Sequence, residues 1–252
     1  QLITDLKNKN YQPVYFLHGE EAYFIDQISN YIENNILNDE EKNFNQTIFY
    51  GKEAEPITIM DSAKRYPMVA PCQVIILKEA QQMGEIDKLL PYIEHPSPTT
   101  LFVICYKHKT LDKRTKLAKA INKHAIPLNK GGEGVVVFES KRLYDNQVPN
   151  WITQQISKAN YEIEPKAVVL MSEYLGNDLS KIAKEIEKLL INVPKGEKIT
   201  AEHIEKYIGI SKDYNVFELQ KAIGARDILK ANRIVNYFIA NPRANPFVVV
   251  LG

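Results

Sequence analysis

A surplus of charge, a metal-ligand cluster and a nucleophile motif are all missing from this sequence, and each absence removes a class of function. Lys and Arg number 32 against 31 Asp and Glu, so the chain as a whole is no basic nucleic-acid binder, although a local patch still can be. Its two cysteines, Cys72 and Cys105, form neither a CxxC pair nor a Cys/His ligand spacing. Isolated cysteines of this kind read as buried, reduced thiols of a cytoplasmic protein rather than as a disulfide or metal site. Five histidines fall without HExxH spacing, and no GxSxG elbow presents a serine. No apolar run reaches the roughly 18 residues that span a membrane, and nothing resembles a signal peptide. What is present is an ordinary globular composition, 44% apolar and 25% charged over 252 residues, which suits one large domain or two smaller ones. The chain opens at Gln1 and stops at Gly252 inside an apolar run, so both ends are expected to be trimmed and the last domain incomplete.

Strand and helix signals alternate through the first part. β-rich apolar runs at Val14–Leu17, Thr47–Tyr50, Val74–Leu77, Leu101–Tyr106 and Val135–Phe138 are separated by helical patterns at Ala22–Ile36, Ile57–Arg65, Ile86–Ile93 and Lys113–His124. That alternation predicts a parallel sheet with helices on its faces, an α/β domain over residues 1–140. After Ser140 the strands stop. Helices are expected at Val148–Ala159, at Pro165–Leu175 with Pro in the first turn, at Asp178–Leu190 capped by Asn177 or Asp178, and at Thr200–Ile208. These make a small helical domain over 141–210. A further all-helical segment, 211–252, runs from Val216 with breaks at Gly224 and Asn241-Pro242.

The first strand leads into Leu17-His18-Gly19-Glu20-Glu21, the junction at which a P-loop ATPase carries GxxxxGK[ST]. There, backbone N–H groups wrap the phosphates, Lys supplies charge and Ser/Thr holds magnesium. Here only Gly19 remains, and two carboxylates stand at the positive helix end, where they would repel a polyphosphate. The third strand ends in Lys78-Glu79 where an ATPase places the acidic pair that helps hold magnesium; Lys78 is either a cation in the metal's place or a solvated strand-end residue. Ser180 falls where a lid arginine would reach the γ-phosphate in AAA+ proteins. Three departures at three places predict a nucleotidase-like scaffold without its own hydrolysis.

Four stretches, in order, carry a resemblance. They are Tyr15-Phe16-Leu17-His18-Gly19-Glu20-Glu21; Tyr66-Pro67-Met68-Val69-Ala70 leading into Gln73-Val74-Ile75-Ile76-Leu77; Gly176-Asn177-Asp178-Leu179 with Glu185-Ile186-Glu187-Lys188-Leu189; and Val216-Phe217-Glu218-Leu219-Gln220-Lys221-Ala222-Ile223. On them the chain resembles the delta subunit of the bacterial DNA polymerase III clamp loader, an ATPase-inactive member of the AAA+ clamp-loader group. The resemblance implies an AAA+-like α/β domain, a helical lid and the start of a helical collar. It implies no cofactor and no catalytic residue in this chain, although the holoenzyme is a DNA-directed DNA polymerase. Its implied partners are the sliding clamp (beta), the motor subunits (gamma/tau), delta-prime and, weakly, primed DNA in the cytoplasmic replisome, with no membrane. The clamp is bound by apolar residues wedged into its pocket at the end of a helix, and by position these are Met68 and Val69, with Tyr66 one helical step behind and Pro67 between. Val69 is smaller than the residue expected there. Without the resemblance, Met68 and Val69 read equally well as caps of the domain's own core.

The run Lys107, Lys109, Lys113, Arg114, Lys116, Lys119 and Lys123 faces a single acid, Asp112. It reads as a solvated helix face or, alternatively, as a set of phosphate contacts to threaded DNA. The Asn129–Gly134 loop superficially matches a dinucleotide fingerprint, but a strand follows it instead of a helix, so a connecting loop is expected. Two other functions compete. A nucleotide-dependent enzyme needs a phosphate cradle of which the sequence has none of normal form. A delta-prime-like or motor subunit would bring a Ser-Arg-Cys motif, which is absent.

Overall fold

The computed structural model describes residues 2–126, 134–210 and 214–240. They separate into two compact units, Gln1–Arg142 and a second from Leu143 onward. The first unit is built on five strands, β1 (Val14–Gly19), β2 (Gln46–Tyr50), β3 (Gln73–Lys78), β4 (Thr100–Lys107) and β5 (Val135–Ser140). Their order in the sheet is β2-β3-β4-β1-β5, and every pairing is parallel, with Val14 opposite Phe102 and Val135, and Ile75 opposite Phe102. The α/β class and all five strands agree with the expectation from the sequence, each observed strand being one or more residues longer at its ends.

Because side chains alternate along a strand, each apolar run feeds two cores. Phe16, Ile75, Leu77, Phe102 and Ile104 point to one face, where they meet α4 (Pro56–Ala63), α5 (Leu90–Glu94) and α6 (Lys116–Lys123) through Ile59, Ile93 and Leu117. Tyr15, Leu17, Val74, Ile76 and Val103 point to the other, against α1 (Leu2–Lys7) and α2 (Ala22–Asn35) through Leu6, Ile25 and Ile32. The result is a three-layer α/β/α unit. Helix α3 (Asp39–Asn45) leads directly into β2; it is capped by a reciprocal pair in which Asn38 accepts from the Glu41 N–H and the Glu41 carboxylate accepts from the Asn38 N–H. The sequence pattern does not predict the short α1 and α3, since neither has enough turns to display a periodic apolar face. The expected Ile86–Ile93 helix is a 3₁₀ turn, Ile86–Leu89, followed by α5, whose Pro91 suits only the first turn of an α-helix.

The second unit carries α7 (Val148–Lys158), α8 (Pro165–Leu175), α9 (Leu179–Asn192), α10 (Ala201–His203) running into a π-type turn at Ile204–Ile208, α11 (Val216–Gly224) and α12 (Ile228–Ala240). Asp178, not Asn177, caps α9 by accepting from the Lys181 N–H at 3.0 Å; the Asn177 amide instead donates to Asp145. Helices α11 and α12 pack on each other through Leu219, Ala222, Ile234 and Phe238. The Asn129–Gly134 loop lies, but for Gly134, outside the described residues, as does the Asn241-Pro242 break.

Candidate protein interface

In an open parallel sheet the ligand crevice lies at the carboxyl ends of the strands, beside the strand where the connection order reverses. Here that strand is β1, and its end is filled by the chain itself. A Cβ on Gly19 would stand 2.0 Å from the Ser140 carbonyl oxygen, and Gly19 has φ +137°. The glycine is thus required by the close approach of β5, which a side chain would prevent. The Ser140 hydroxyl donates to the Glu21 carbonyl at 2.6 Å, and the Glu21 carboxylate accepts the Tyr23 N–H at 3.0 Å as the N-cap of α2. Glu21 therefore neutralises the helix end, as the sequence suggested; Glu20 is exposed.

Neighbouring strand ends are closed by ion pairs. Lys78 Nζ sits 2.7 Å from Glu33 Oε2, so this lysine is neither a solvated end residue nor a free cation. Lys107 Nζ lies 2.7 Å from Asp26 and 2.8 Å from Glu79, with 11% of its side chain exposed. Gln81 completes the cluster, donating to Glu79 and accepting the Lys107 N–H. Burial alone would push the Lys107 ammonium down, but its two carboxylate partners outweigh it and hold the pKa above the ordinary lysine value. For Glu79 burial pushes up, and the bonds from Lys107 and Gln81 bring it below the ordinary carboxylate value. Among the described residues no group of three or more His, Cys, Asp or Glu is placed to hold a metal. Both cysteines are free and buried, with burial raising the thiols to about 11 for Cys72 and about 12 for Cys105. Ser180 is exposed in the first turn of α9.

Tyr66, Pro67, Met68 and Val69 lie in the loop between α4 and β3. The helix ends at Ala63, two residues before the expected Arg65, so Tyr66 stands in the loop and not one helical step behind the pair. Tyr66 is 85% exposed, Met68 61% and Val69 99%, which rules out their serving as caps of the domain's own core. Pro67 is half-buried, Ala70 packs on the core beneath and Cys72 is buried in it. An apolar tip is therefore held out on an anchored base. The anchor the sequence did not reveal is Asn45, the last residue of α3: its Oδ1 accepts the Met68 N–H at 2.6 Å and its Nδ2 donates to the Met68 carbonyl at 3.0 Å. Nothing in the sequence links positions 45 and 68.

The basic run divides. Lys107 is covered and neutralised by Asp26 and Glu79, so, against the expectation from the sequence, it is not placed to contact a phosphate. Arg114 is exposed but chelated by Asp112, whose carboxyl it holds down at about 2. Lys109, Lys113 and Lys116 are exposed. Lys116, Lys119 and Lys123 share the outer face of α6, whose inner face buries Leu117, Ala120 and Ile121.

The structure is a five-stranded parallel α/β unit followed by a helical region. The solved Bacillus subtilis DNA clamp loader delta protein (YqeN) matches it with a TM-score of 0.67 and 24% identity, over 95% of this chain and 70% of that one. A Thermotoga maritima RuvB Holliday junction branch migration motor is a remoter likeness, with a TM-score of 0.45 and 12% identity over 90% of this chain and 73% of that one. The family model of "DNA polymerase III, delta subunit" matches residues 15–130. The DNA polymerase III subunit delta of Bacillus subtilis (strain 168) is 27% identical over 247 residues, 90% of this chain and 68% of the relative. In sequence the chain is thus similar to DNA polymerase III delta subunits, and in fold to a clamp loader delta protein.

Proposed function

We propose that this chain works by binding, not catalysis: it docks the loop Tyr66–Val69 into an apolar pocket of the sliding clamp and holds the clamp ring open for loading onto primed DNA. The observation that carries this is the apolar tip itself, three large side chains kept in water on a loop whose base is anchored. An ordinary loop would turn polar residues outward. Burying such a side chain on a partner contributes about 1.5–3 kcal/mol, and a pre-formed loop spends less conformational entropy on docking. Ring opening follows if the loop binds the open ring better than the closed one, since only that difference shifts the equilibrium.

The filled strand-end crevice supports the same division of labour. With Gly19 pressed on Ser140, Glu21 capping α2, and Lys78 and Lys107 committed to carboxylates, the place for a nucleotide is taken by the protein's own groups. ATP-driven steps then belong to neighbouring motor subunits (gamma/tau), with delta-prime completing the loader through the helical region of this chain, including the collar expected from residue 211. Lys109, Lys113, Lys116 and, more weakly, the Asp112-bound Arg114 are placed to touch DNA phosphates without sequence preference. The setting is the bacterial cytoplasmic replisome; no helix among the described residues is long and apolar enough to cross a membrane.

The test is surface plasmon resonance on an immobilised bacterial sliding clamp, with this chain and its Met68→Ala/Val69→Ala variant. Micromolar or tighter binding is expected, weakened in the variant by about 2–5 kcal/mol. Binding that survives the substitutions would move the wedge to Tyr66. A well-folded chain that does not bind would end the proposal.

A further inference from the structure

The loop tip is unusual in two ways that point to one residue. Val69 has φ +55°, a left-handed conformation that a β-branched side chain adopts only when its surroundings impose it. Its neighbour Met68 has both backbone polar groups taken by one side chain, that of Asn45. Asn45 is 1% exposed, and its Nδ2 also donates to the Glu41 carbonyl one turn back on α3 at 2.9 Å. Among side chains of its size, only a carboxamide offers an acceptor for the Met68 N–H and a donor for the Met68 carbonyl at once. Asp would keep the first bond and set oxygen against oxygen at the second.

We infer that Asn45 is the positioning residue of the interface: by fixing the Met68 peptide units on both sides, it holds Val69 in the left-handed conformation and keeps the Met68 and Val69 side chains outside. Asn45 does not touch the clamp in this arrangement; it acts through the loop. The inference rests on the clamp-docking proposal for Met68 and Val69. Its physical content is pre-organisation. A loop free to relax would let Val69 return to an ordinary backbone region, and binding would have to restore the left-handed one.

The experiment is a double-mutant cycle read on the immobilised bacterial sliding clamp: this chain, Asn45→Asp, Asn45→Ala, Val69→Ala, and each Asn45 variant combined with Val69→Ala. Melting curves and the hydrogen exchange of the Val69 and Ala70 amides are followed in parallel. The expected result is an affinity loss of tenfold or more for either Asn45 substitution, with a melting transition still cooperative and those amides exchanging faster. In the Val69→Ala background the same substitution is expected to cost threefold or less, because part of what Asn45 presents has already gone. Unchanged affinity in both Asn45 variants, while Met68→Ala/Val69→Ala still weakens binding, would overturn the positioning role and leave the clamp interface standing. An equal loss in both backgrounds, or one explained by the unfolded fraction, would also overturn it, since the effect would not pass through the tip. No clamp binding by the folded unsubstituted chain would remove the interface and the positioning role together.

Discussion

At the scale of single residues, two positions show how local geometry is subordinated to a neighbour. Val69 holds a φ of +55° with nearly its whole side chain in water, so its conformation works against stability and its apolar surface has no partner among the described residues. Replacing it by Asn, a residue at ease in the left-handed region, should raise stability by about 1 kcal/mol. The same substitution should weaken clamp binding, because the apolar contact is lost; chemical denaturation and plasmon resonance on one sample would show the opposite signs. Gly19 is the converse case. Its φ of +137° and the 2.0 Å approach of the Ser140 oxygen leave no place for a methyl group, so Gly19→Ala should cost about 2–4 kcal/mol in denaturant unfolding. Gly19 was visible in the sequence as the relic of a P-loop; its packing role was not, since Ser140 lies far along the chain.

At the scale of elements, the strands were legible almost to the residue and the short helices were not. Strands buried on both faces must be apolar throughout, and Val74–Leu77 and Leu101–Tyr106 announce themselves by composition alone. Helices α1 and α3, of 6 and 7 residues, are too short for a periodic signal, and α3 carries Asn45. The ion-pair cluster joining α2, β3 and β4 was equally hidden, because Asp26, Glu79 and Lys107 read singly as ordinary surface charges. Their coupling predicts a pH profile. Glu79 is held below its ordinary value, so its contribution is complete above the normal glutamate range and fades as the pH falls below about 4. Lys107 is held above its ordinary value, so its contribution is complete below the normal lysine range and fades as the pH rises beyond about 10. Lys107→Met should lower stability near neutrality by about 1–3 kcal/mol, a figure reduced for the partial exposure of both carboxylates. It should also flatten the acid limb of the melting-temperature profile.

At the scale of the whole molecule, the near-zero net charge conceals an uneven distribution. The outer face of α6 with Lys109 and Lys113 is basic, while the crevice above it is internally neutralised. Replacing Lys109, Lys113, Lys116 and Lys119 together by Gln should reduce the salt dependence of the loader's DNA binding by about 0.7–0.9 in log–log slope for each phosphate contact removed. Fluorescence anisotropy across a salt series would measure it, and an unchanged slope would return these lysines to the role of a solvated face. By itself the sequence determined the α/β class, the five strands and the helical second part, because burial periodicity and proline placement are local facts; the stretch Tyr66–Val69 stood out only through the resemblance. Only the tertiary structure decided that this stretch faces water, that Asn45 grips it, that Lys107 is spent on Asp26 and Glu79, and that Gly19 serves Ser140. Each of these joins residues that folding brings together from separate elements, and a contact set by the packing of sheet and helices leaves no mark at either of its ends.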